Sequence, residues 1–103
     1  MSDKEKHLDQ LRAAIRQLHE SNSRHLETVE VKETFRGKSV WEGKVEVFEL
    51  LNHPKARVCY AWKYHDNEVN TERIVAIPGL RLIKSPADAV KTFIMAETRK
   101  HIV

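Results

Sequence analysis

Cysteine occurs once in this chain, at Cys59, which excludes an internal disulfide framework and a cysteine-rich zinc site and fits a reducing compartment. Glycine occurs only at positions 37, 43 and 79, and none opens a strand-to-helix phosphate loop, so the common nucleotide-binding motifs are absent. No apolar run approaches the length of a membrane span, and "MSDKEKHLDQ" lacks the apolar centre of a signal peptide. The histidines, 7, 19, 25, 53, 65 and 101, are scattered, and no pair has the i, i+4 spacing of a helical metal site. These absences predict a cytoplasmic protein with no metal, no cofactor and no membrane association.

What is present is a folding sequence. The 103 residues are 41% hydrophobic and 32% charged, enough apolar content for one core, so residues 1–103 are read as a single domain. The net charge of +3 arises after residue 79, where Arg81, Lys84, Lys91, Arg99 and Lys100 outnumber Asp88 and Glu97. A basic end can be a nucleic-acid footprint. The simpler reading is that Arg99 and Lys100 complement the dipole at the end of a helix.

Leu8, Leu11, Ile15 and Leu18 recur at helical spacing behind Ser2, with Glu5 at the capping-box position. Their stripe is narrow, which suits either docking on the edge of the protein's own sheet or pairing with the same helix of another subunit. Val29, Val31 and Phe35 alternate with polar residues, and "RGK" follows as a turn. In "VWEGKVEVFELL", Trp41, Gly43, Val45 and Val47 share one side, until the apolar phase slips at Val47–Phe48, as at a bulge or strong bend. "NHPKA" is a turn, "RVCYAWKY" a strand, "HDNEVN" a polar loop and "ERIVAI" a fourth strand stopped by Pro78–Gly79. Ser85, Pro86 and Asp88 then open a helix whose apolar face holds Ala87, Val90, Phe93, Ile94 and Met95. The fold class expected is α+β, in the order α-β-β-β-β-α. A four-stranded curved antiparallel sheet carries the C-terminal helix on one face, with the N-terminal helix packed beside it.

No catalytic set emerges. Cys59 lies mid-strand between large neighbours, where a cysteine behaves as a small hydrophobe. Glu42 and Glu46 flank Lys44 on what reads as a wet strand face, and His65, Asp66 and Glu68 read as a solvated turn.

One feature stands out. Tyr60, Trp62 and Tyr64 form an aromatic row on one face of their strand, opposite the small Cys59 and Ala61. With a helix assigned to the small face, the aromatic row has no obvious cover, and exposed aromatic patches usually mark contact sites. The expected role is therefore a non-catalytic binding or interaction protein, a homodimer associating through a sheet face or the N-terminal helix. The alternative is a small apolar or aromatic ligand held by Trp41, Tyr60, Trp62 and Tyr64 on the concave face. A second alternative is nucleic acid stacked beside Arg57 and Lys63. It is disfavoured because "SPADAVK" lacks the lysine cluster that opens the last helix of double-stranded-RNA modules.

The pattern V-W-E-G-x-V-E-V-F, then H-P-x-A, then C-Y-A-W, over residues 40–62, resembles a set of small uncharacterised bacterial proteins, some encoded on mobile, integron-type gene cassettes. The resemblance implies a compact α+β fold and carries no activity, substrate or catalytic residue.

Overall fold

In the computed structural model, which describes residues 2–100 apart from the side chains of 99 and 100, the element order is the one expected. The charge-to-dipole reading of Arg99 and Lys100 thus lies outside the described side chains. Helix α1 spans Asp3–His19, followed by strands β1 (Ser23–Phe35), β2 (Lys38–Leu50), β3 (Val58–Asp66) and β4 (Thr71–Pro78), and then helix α2 (Pro86–Lys100). The strands form one antiparallel sheet in the order β1-β2-β3-β4.

Local chemistry sets the element ends. The Ser2 hydroxyl accepts from the Glu5 amide at 3.2 Å, and Ser85 accepts from the Asp88 amide at 3.1 Å, each satisfying an otherwise unpaired amide at a helix start. Asp88 reaches back and accepts from the Lys84 amide at 3.0 Å. Arg36 and Gly37 have φ of 53° and 77°, the left-handed pair that a tight hairpin turn between β1 and β2 requires. At Gly79 a Cβ would stand 2.8 Å from a Val58 methyl and 3.5 Å from the Tyr60 ring, so only glycine lets the chain leave β4 this close to β3.

The two helices lie on opposite faces of the sheet, not side by side. Leu11 and Ile15 of α1 are fully buried against Phe48, Leu50, Cys59 and Ala61. The small Cys59, Ala61 and Ala76 let α1 approach closely, and the His19 imidazole donates from Nε2 to the Ala76 carbonyl at 2.7 Å, pinning the helix end to β4. Leu18, the last member of the stripe, is exposed. Ala89 and Val90 of α2 are fully buried on the other face, against Val31, Val45, Val47, Tyr60 and Trp62.

This arrangement explains the change of phase in β2. Val47 faces α2 and Phe48 faces α1, so strand alternation is unbroken and β2 is simply apolar on both sides where both faces are covered. The β1–β2 ladder is irregular at two places: at Glu33–Thr34, where Val40 is extra on β2, and at the start of β1. His25 pairs with Phe48 and Glu27 with Val47, which leaves Leu26 as an extra residue on β1. Strand β1 also begins at Ser23, earlier than the alternation from Val29 suggests.

Candidate functional site

The sheet is not uniformly paired. Strand β2 meets β3 only from Glu46↔Ala61 to Glu49↔Val58. The β1–β2 ladder continues to Phe35↔Lys38, and the β3–β4 ladder to Asp66↔Thr71. Beyond Glu46 the two hairpins are therefore separate arms, and the space between them has to be filled by side chains.

The aromatic residues fill it. The Trp41 ring from the first arm meets Trp62 from the second edge-on, with centroids 5.6 Å apart. Phe93 of α2 packs edge-on against Trp62 at 5.6 Å and against Tyr64 at 5.0 Å. Edge-to-face geometry of this kind is favourable beyond the area buried. Gly43 is part of the same device, because a Cβ there would lie 3.1 Å from the Trp41 ring, which runs along the strand above it.

The expectation of an uncovered aromatic face is thereby corrected. Tyr60 is 4% exposed and Trp62 1%, both beneath α2, while Trp41 and Tyr64 are half-buried at the margin. The structure does bring Trp41, Trp62 and Tyr64 together, but as a core that ties two arms to a helix. Burial, followed by the negative charge of Asp88, raises the ionisation of the Tyr60 phenol above its ordinary range. The Trp62 indole N–H is buried with no hydrogen-bond acceptor.

A second cluster lies on the α1 face beside the bulge. Glu46, expected on a wet face with Glu42 and Lys44, is buried, whereas those two are exposed. Its Oε1 accepts from His25 Nε2 at 2.8 Å and from the Thr28 hydroxyl. The His25 ring also meets Phe48 edge-on at 5.4 Å. Both donors converge on one carboxylate oxygen, and the cluster shows no bond from Thr28 to the imidazole. This is the geometry of a buried carboxyl group whose hydrogen bonds are satisfied rather than of a base activating a hydroxyl. Sequence alternation could not reveal it, because the partnership with His25 depends on the bulge.

Other candidate chemistry is absorbed by structure. In the β3–β4 turn, His65 bonds Asn70 at 3.1 Å, and Asp66 pairs with Arg73 at 2.9 Å. No group of three or more possible metal ligands occurs among the described residues. Cys59 is fully buried, and desolvation pushes its thiol up to about 12. We expect a mild thiol reagent at neutral pH to leave the native protein unmodified and to label it stoichiometrically once it is denatured. Rapid native labelling would contradict the buried placement.

An open apolar surface lies at the far end of the first arm. Phe35 and Val40 at the hairpin tip, with Ile94 and Met95 of α2, line a groove of about 600 Å³ flanked by Glu33 and Lys91. Phe35 is 64% exposed, Met95 57% and Val40 47%. Alternation with Val29 and Val31 predicts a half-buried Phe35, but it sits at the tip of the arm, where the cover given by α2 runs out. The available signal was an apolar face on α2 wider than its docking uses, with Met95 left over. No helix among the described residues is long and apolar enough to cross a membrane. Comparison with known protein families, curated proteins and solved structures returned no match.

Proposed function

We propose that this chain is a non-catalytic interaction protein that associates with a second copy of itself through the groove between the β1–β2 hairpin tip and α2. The observation that carries the reading is the exposure of Phe35, Val40 and Met95 side by side on one surface. Apolar side chains gathered in one exposed groove suit a contact site. A second copy is favoured because the groove presents exposed apolar residues together with charges of both signs, a surface that can complement itself. A two-fold axis sets this patch against its own copy, so one patch serves both partners. Glu33 and Lys91 flank the groove with opposite charge, which suits a partner bearing both signs better than a uniformly charged nucleic acid. The earlier routes are less well supported, since α2 covers the aromatic sheet face and Leu11 and Ile15 are spent within the chain.

Phe35→Asp is the test. Every substitution appears twice in a two-fold interface, so removing this anchor is expected to weaken association about 100-fold or more. Sedimentation velocity should give twice the chain mass for the parent at high micromolar concentration and a single-chain mass for the variant, with matching circular dichroism. A parent that stays a single chain throughout would overturn the reading. If that monomer then bound apolar dyes in the groove, the small-ligand reading would take its place.

A further inference from the structure

We infer that the two copies are held in register by reciprocal charge pairing, Glu33 of each against the partner subunit's Lys91; this rests on the self-association proposed above. Several charged residues elsewhere on the surface are paired within the chain. Arg24 pairs with Glu49 at 3.0 Å, Arg73 with Asp66 at 2.9 Å and Arg12 with Asp9, all within the chain. On the first arm, the ladder sets Glu30 opposite Lys44 and Lys32 opposite Glu42, so opposite charges face each other there too. Glu33 faces Trp41 in the same ladder, and neither it nor Lys91 has an ion-pair partner within 4 Å among the described residues. Glu33 is also half-buried.

The two residues stand on opposite walls of the same groove, Glu33 on β1 and Lys91 on α2. That placement distinguishes two ways of docking one apolar patch on its copy. If the walls cross, with the β1 wall of one copy on the α2 wall of the other, each acid meets a base and two ion pairs form. If like walls meet, Glu33 faces Glu33 and Lys91 faces Lys91. Apolar contact alone barely separates these registers, whereas like charges across an interface reject the second. The crossed register makes self-association weaken as salt rises, because the pairs lie at the rim of the groove where ions screen them.

The experiment uses the full chain and three variants: Glu33→Lys, Lys91→Glu and the double reversal. Each single reversal sets two like-charge contacts in the crossed dimer and should raise the dissociation constant by about 10-fold or more at low salt. The double reversal should bring it back to within about 3-fold of the parent. Circular dichroism melts matching the parent confirm that the variants fold. Single reversals without effect, or a double reversal that fails to recover, would overturn the register. If Phe35→Asp still dissociated the dimer in that case, self-association at the groove would stand without it. A parent that never dimerises would sink both.

Discussion

Trp62→Ala should lower the free energy of unfolding by about 3–5 kcal/mol, the range for deleting a fully buried aromatic. That is a large share of the roughly 5–15 kcal/mol that holds a typical domain together. The size follows from position. Trp62 stands on β3 beyond the last residue paired with β2, so no backbone hydrogen bonds of the β2–β3 ladder close the sheet there. Its ring touches Trp41 on one arm and Phe93 on α2, and its removal opens a void between three elements at once. Trp62→Phe should cost markedly less, because it keeps an aromatic body and deletes an indole N–H that has no acceptor. Urea denaturation followed by circular dichroism measures both. An aromatic row that was only an open contact surface would tolerate Trp62→Ala within about 0.5 kcal/mol, the usual scale for surface changes.

Leu11→Ala should cost about 2–5 kcal/mol by the same physics on the opposite face. Leu11 is fully buried against a floor that includes the small Cys59 and Ala61, and a backbone this close cannot collapse into the space the side chain leaves. The residue separates two uses of the N-terminal helix. A helix docked on its own sheet loses stability at every protein concentration. A helix serving as a seam between subunits would show a loss that depends on concentration. Leu18→Ala is the control, since Leu18 shares the stripe but is exposed, and it should change stability by less than about 0.5 kcal/mol.

Local features were legible from the sequence, and the assignment of faces was not. Ser2, Ser85 and the Arg36–Gly37 turn act through residues a few positions apart, so their chemistry can be read directly. Whether α1 or α2 covers Cys59 and Ala61 depends on packing across the molecule. The narrow stripe of α1 suggested edge docking, yet a floor of Cys59, Ala61 and Ala76 needs only a narrow stripe to close over it. The aromatic row, expected to lack cover, is core instead, because its bulk answers the divergence of two hairpins, which no alternation pattern encodes. Glu46 read as wet for a similar reason: its neighbours His25 and Thr28 reach it from another strand, past a bulge at Leu26. Phe35 shows the opposite error, since an apolar residue in phase with Val29 and Val31 is exposed where the arm outruns its cover.

The proposed meeting of two copies at the hairpin–α2 groove can be read by mixing isotope-labelled and unlabelled chains and recording only nuclear Overhauser contacts between copies. Contacts are expected from the Phe35 ring of one copy to the Ile94 and Met95 methyl groups of the other. Their absence under conditions where the mass is that of two chains, or contacts centred instead on exposed Leu18 of α1, would contradict it.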